Sequence, residues 1–162
     1  MPIRRTAPAM IAAPALFAAL ALGAPAVAQD GGDLPAPVMA RQSHMHLYAF
    51  NLGVLGDMAK GETEYDAEAA QAAARNIGDL GELTQDAYWV DGTSSEDVEG
   101  SRAKPALFEE YGEYEKLTRD LVEAAAAMES AAGESAEAIG GQMRELGGAC
   151  GACHKLYRES DD

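Results

Sequence analysis

Near its C-terminal end the chain reads Cys150-Gly151-Ala152-Cys153-His154. On a helix, two thiols three residues apart and an imidazole one residue later project from one side, so a flat ligand laid along that side meets all three. Cys-x-x-Cys-His is the attachment pattern for c-type haem: each thiol adds to a haem vinyl group as a thioether, and the histidine offers a neutral nitrogen to the iron. Two other chemistries use the same residue types. A structural zinc site needs four tetrahedral ligands, so Cys150, Cys153 and His154 would have to recruit His44 or His46, the only other histidines. A thioredoxin-type redox pair follows a strand at the start of a helix, and no alternating apolar run precedes Cys150. A plain disulfide across this short spacing closes too small a loop to stabilise a domain much. Covalent haem is therefore the expected chemistry, with Cys150, Cys153 and His154 as its ligating residues.

Such a site needs a helix with one buried face. The last helical pattern starts near Ser135, a candidate N-cap. Its apolar face runs Ile139, Met143, Leu146, Cys150, Cys153 and Tyr157, so the motif continues the buried stripe and aims into the interior. Gly140, Gly141, Gly147, Gly148 and Gly151 share this helix, and each costs about 0.5–1 kcal/mol relative to alanine. A macrocycle lying close against the helix backbone is expected to offset that cost by burying apolar area.

Three further helices are expected. The first runs from Val38 through Met45, Tyr48, Leu52 and Leu55 to near Gly61. The second follows an N-cap at Asp66 and presents Ala70, Ala73, Ile77, Leu80 and Leu83. The third carries Tyr114, Leu117, Leu121, Ala124 and Met128 and stops at Gly133. Between residues 84 and 105 the periodicity fails and Gly, Ser and Thr accumulate, which reads as a long functional loop. Trp89, the only tryptophan, sits at its start, either as a core anchor or as a cover for a cofactor edge. Four amphipathic helices without a strand pattern predict an all-α, antiparallel four-helix bundle holding one covalently bound haem between facing helices.

Residues 1–28 read as a removed signal peptide. Arg4 and Arg5 supply the cationic start, residues 10–23 an apolar stretch too short to span a membrane, and Ala26-Val27-Ala28 the cleavage site. Arg4-Arg5 lack the apolar followers of a twin-arginine signal, so the general secretory route is expected. Residues 29–162 then form one exported haem domain with no later membrane span. Without Arg4 and Arg5 the mature chain has 10 basic against 27 acidic residues, a formal charge of −17. That excludes nucleic acid as a partner, because phosphate binding needs a basic footprint. No general acid and base pair is apparent, so the chain is not expected to be an enzyme.

Several stretches resemble the cytochromes c′, the class II c-type cytochromes. They are Arg41-Gln42, Phe50-Asn51-Leu52-Gly53, Gly56-Asp57-Met58-Ala59-Lys60-Gly61, Tyr65-Asp66-Ala67, Trp89, Arg102-Ala103-Lys104-Pro105, and the C-terminal haem motif followed by Tyr157-Arg158. The resemblance covers essentially the whole mature chain. Leu107-Phe108 departs conservatively from the Ile-Trp that many relatives carry. The resemblance implies a periplasmic protein with one covalently attached haem c and a largely high-spin, pentacoordinate iron on His154. It further implies binding of nitric oxide and carbon monoxide but not dioxygen, and roles in nitric oxide tolerance and electron transfer. Carried over by residue, Cys150 and Cys153 hold the haem, Arg158 lies beside its proximal face, Arg41 and Gln42 approach its edge, Met45 occupies the distal position, and Arg102 contacts a propionate. A redox partner protein and a homodimer are also implied.

Met45 decides between two function classes. It shares a helix face with Arg41, Tyr48 and Leu52. Its thioether could plug a gas-binding iron, or ligate the iron of a low-spin electron carrier. His44 and His46 fall about 100° to either side of Met45, which is expected to turn them toward solvent or a helix boundary.

Overall fold

A computed structural model of the chain describes residues 34–160, so the expected signal peptide at 1–28 and its cleavage site lie outside the described residues. Helix α1 (Ala36–Lys60) opens on Pro35 and Pro37, whose fixed φ suits a first helical turn. It closes on Gly61, where φ is 75° and the amide donates back to the Met58 carbonyl at 3.1 Å. That left-handed cap is the conformation glycine adopts without a Cβ penalty. Helix α2 (Ala67–Glu82) is capped by Asp66, which accepts from the Ala69 amide at 3.0 Å. A turn of 3-10 helix covers Asp86–Tyr88, and a short α3 (Pro105–Glu109) precedes α4 (Tyr111–Ala132). Helix α5 (Ala136–Tyr157) starts on Ser135, whose hydroxyl accepts from the Ala138 amide at 3.1 Å.

Four long helices close a ring in which α1 packs on α2 and α5, α2 on α4, and α4 on α5. Short connections at 61–66 and 133–135 make α1/α2 and α4/α5 antiparallel neighbours. Leu55 of α1, Ala70, Ala74 and Ile77 of α2, Ala125 and Met128 of α4, and Ile139 and Leu146 of α5 are its buried centre. The alanines let α2 and α4 approach. At Gly81 an added Cβ would stand 2.6 Å from the Val122 side chain. All-α architecture and the four-helix bundle match the expectation.

Three details differ from it. Leu83, expected on the buried face of the second helix, is its extended C-cap and half exposed. The 84–105 segment is not patternless: it holds the 3-10 turn and pairs Ala103 with Arg158 as an isolated antiparallel bridge. Pro105 then starts α3, because proline suits a first helical turn. The α5 glycines do not support a close macrocycle. Cβ atoms built at Gly141, Gly147, Gly148 and Gly151 meet nothing within 4 Å, and none of the five glycines lines the cleft described below. They follow the outward side of α5, about 60–180° around the helix from Cys150. Gly140 alone is approached by a neighbour, the Ala59 methyl of α1, at 3.9 Å.

Candidate haem site

A cleft of about 560 Å³ opens between α1, α4, α5 and the 84–105 segment, a size typical of sites that bury a cofactor. Leu146, Cys150, Cys153, His154 and Tyr157 line its α5 side. Leu146, Cys150, Cys153 and Tyr157 recur every three or four residues and so share one face, as the stripe predicted, and His154 follows Cys153 beside that face. Arg41, Gln42, Met45, Tyr48 and Leu52 line the facing α1 side, and Ile77, Leu117 and Leu121 complete its apolar walls. Met45 is half-buried and does open onto the cleft from the helix opposite His154. The sequence-derived candidates Arg41, Gln42, Met45, Arg102, Cys150, Cys153, His154 and Arg158 therefore all border one space.

The environment sets the protonation of the donors. Burial raises the Cys150 thiol, and burial followed by the charge of Cys150 pushes Cys153 up to about 11. Both are thiols at neutral pH, whereas a redox Cys-x-x-Cys pair needs a depressed thiolate pKa. His154 is lowered, first by burial and then by the positive charges of Arg158 and Arg102. Its ring is neutral at pH 7 and so keeps a lone pair for a metal. Among the described residues no three His, Cys, Asp or Glu side chains assemble into a metal-holding group, and His44 and His46 do not join the motif as zinc ligands.

Arg41 anchors the cleft mouth. Its guanidinium donates to the Tyr88 carbonyl at 3.0 Å, to Thr93 Oγ1 at 2.9 Å, to the Thr93 carbonyl, and to Ser101 Oγ at 2.7 Å. It also sits over the Trp89 ring at 5.2 Å and the Phe108 ring at 5.9 Å. The side chain is buried and has no carboxylate partner among the described residues, which leaves a buried cation suited to an anionic ligand group. Gln42 adds a bond from Nε2 to the Gly100 carbonyl at 2.8 Å. Arg102 donates to the Glu159 carbonyl at 2.7 Å, tying the segment to the end of α5.

Trp89 serves both roles open in the sequence. It lines the cleft and it packs edge-on against Tyr114 at 4.9 Å and Phe108 at 6.3 Å. Its Nε1 is buried without a hydrogen-bond partner among the described residues. That orphaned donor, the cation of Arg41, the neutral imidazole and the two thiols on apolar walls fit a flat, largely apolar group that carries anionic substituents and a metal.

His44 corrects an expectation. It does not face solvent but is 4% exposed, with its ring edge-on to Tyr48 at 4.8 Å and Tyr88 at 5.7 Å. Tyr88 comes from the 84–105 segment, whose position no helical angle encodes. His46 is exposed as expected, yet it borders the cleft beside Met45. Tyr114 and Thr118 were missed as cleft residues, although the Tyr114–Leu117–Leu121 stripe would have reached them.

Comparison with known proteins agrees with this geometry. The family model described as cytochrome C′ matches residues 36–158. A cytochrome c-554 of Cereibacter sphaeroides is 40% identical over 149 residues, covering 91% of this chain and 97% of that relative. A cytochrome c′ of the same species is 35% identical over 143 residues, covering 88% and 95%. Among solved structures, a cytochrome c′ with ligand-controlled dimer dissociation superposes with a TM-score of 0.66 at 29% identity, covering 76% of this chain and 95% of that one. The matched span contains the four long helices, the cleft and both cysteines, and the chain belongs to the cytochrome c′ family of c-type haem proteins, carrying haem c bound covalently through cysteine.

Proposed function

We propose that this is a periplasmic haem protein whose iron is held by His154, is five-coordinate, and takes nitric oxide and carbon monoxide on the Met45 side, in the service of nitric oxide tolerance and electron transfer. The observation that carries this reading is a single cleft that receives Cys150, Cys153 and His154 from α5 and Met45 from the facing α1. Bound there, the haem supplies an iron that takes a small ligand or exchanges an electron. Cys150 and Cys153 tether it one turn apart on a rigid helix, and the neutral imidazole of His154 holds the metal. Arg158 would lie beside the proximal face, Arg41 and Gln42 would approach the haem edge, and Arg102 would contact a propionate. Met45 fills the distal side with a flexible apolar chain that excludes water and swings aside for a diatomic ligand. The signal-like residues 1–28 support export by the secretory route.

The second reading is a low-spin electron carrier with Met45 as sixth ligand, and it rests on the same observation that this thioether opens onto the cleft. Absorption spectra of Met45→Ala separate the two. With Met45 as a plug, ferrous wild-type protein is broad and high-spin, and the variant keeps that spectrum while binding carbon monoxide faster. Conversion from low-spin to high-spin on substitution overturns the plug and assigns Met45 to the iron. A second copy of this chain is the proposed protein partner, seated along α1 where Met39, Leu47 and Phe50 are exposed.

A further inference from the structure

The rings of Trp89, Tyr114 and Tyr111 run in series out of the cleft. Trp89 lines the cleft and packs edge-on against Tyr114, with ring centres 4.9 Å apart. Tyr114 in turn stacks on Tyr111 at 5.5 Å, the two planes inclined by 23°. Both separations are those of aromatic pairs in contact. Tyr114 borders the cleft on one side and, on the other, a second groove of about 550 Å³ between the end of α2 and α4, which Tyr111 also lines. Indole and phenol rings can each give up one electron, so this row offers short steps between the surface groove and the cleft.

Proton acceptors decide where an electron deficit comes to rest, because a phenol that loses an electron becomes strongly acidic and its proton must have somewhere to go. Tyr114 is buried and donates to the neutral amide oxygen of Gln85 at 2.5 Å, which is no base. Trp89 Nε1 has no hydrogen-bond partner among the described residues, and the Arg41 cation 5.2 Å from its ring disfavours positive charge there. Tyr111 differs from both. Its hydroxyl donates to Asp86 Oδ1 at 3.0 Å, and Asp86 is exposed, so a carboxylate stands within proton-transfer distance and in exchange with solvent. Of the other cleft tyrosines, Tyr48 has no hydrogen bond to any described residue, and Tyr157 donates to Glu110 Oε2 at 2.8 Å but is only 2% exposed.

We propose that Trp89, Tyr114 and Tyr111 form an electron relay from the second groove to the cleft, with Tyr111 as the residue oxidised when a peroxide is reduced in the cleft. This rests on the haem reading given above. One hydrogen peroxide takes up two electrons and two protons and leaves as two waters. Tyr111 passes the electrons one at a time through Tyr114 and Trp89, losing its proton to Asp86 and thence to solvent, which supplies the protons that peroxide consumes. A small phenol in solution restores Tyr111 after each step by giving it one electron and one proton, so two phenols become two phenoxyl radicals per peroxide. The test treats haem-loaded ferric protein with hydrogen peroxide and a nitroso spin trap, without added phenol, and locates the adduct by electron paramagnetic resonance and peptide mass spectrometry. Wild-type protein is expected to carry the adduct on Tyr111, and Trp89→Phe, Tyr114→Phe and Asp86→Asn to lose it from that residue. Asp86→Asn alters one exposed side chain and keeps an acceptor oxygen, so it removes the base while sparing the packing. An adduct that stays on Tyr111 in Trp89→Phe and Tyr114→Phe, or that forms on Tyr157 in its place, overturns the relay while leaving the haem reading intact. Wild-type protein that leaves the peroxide unreduced overturns the open-iron reading, and the relay with it.

Discussion

His44 shows how a residue's role can depend on a partner far away in sequence. Its ring is enclosed by Tyr48 and Tyr88, its Nε2 lacks a partner among the described residues, and burial lowers its pKa below the usual 6.5. The unfolded chain therefore takes up a proton near pH 6.5 that the folded chain resists. Unfolded protein then binds more protons, so stability falls as pH drops below about 6.5 and levels off beneath the folded pKa. Thermal unfolding of the haem-loaded protein between pH 7 and 5 should show this fall, and His44→Phe should flatten it. An equal slope in both proteins would mean that His44 is not the titrating group. Met45 was legible from spacing alone because it and the haem motif lie on regular helices. The burial of His44 was not, since it needs a tyrosine from an irregular segment.

Glycines and the 84–105 segment set behaviour at the scale of elements. Gly81→Ala would drive a methyl to 2.6 Å from the Val122 side chain where α2 meets α4. Overpacking of this kind costs about 1–3 kcal/mol, more than the roughly 1 kcal/mol that alanine gains in a helix. Gly148→Ala meets open space on an exposed stretch of α5, so it should stabilise by about 0.5–1 kcal/mol. Urea unfolding of the two variants should move the midpoint in opposite directions. The cost of the α5 glycines was readable from sequence, but their compensation by haem was not correct, because they lie on the outer side of the helix. Arg41 ties the segment to α1 through four hydrogen bonds and the face of Trp89, and it also stacks on Phe108 of α3. Arg41→Met should cost about 3 kcal/mol by leaving buried acceptors unpaired. Trp89 is the only tryptophan, so its fluorescence should report loosening, alongside faster proteolysis within residues 89–101. Unchanged fluorescence and protease resistance would refute the anchoring role.

At the scale of the whole molecule, the outer side of α1 remains unsatisfied. Met39, Leu47 and Phe50 are 46%, 51% and 69% exposed and lie near one another along the helix. Large apolar side chains grouped on one surface mark an interface, and a twofold contact would pair this patch with itself. Light scattering at micromolar concentration should give twice the mass of the mature chain, and Phe50→Glu should reduce it to one. A wild-type monomer would remove the dimer. No helix among the described residues is long and apolar enough to cross a membrane. By itself the sequence determined the helices, their caps at Asp66, Ser135 and Gly61, the haem motif and the inward face of α5. These follow from local periodicity and backbone chemistry, which neighbouring residues fix. Only the tertiary structure decided that Arg41 is spent on the 84–105 segment, that Trp89 both packs and lines the cleft, and that Tyr48 alone among the cleft tyrosines keeps its hydroxyl uncommitted. Those outcomes depend on contacts between residues some 30 to 60 positions apart, most of them made by an irregular segment whose path no periodicity records.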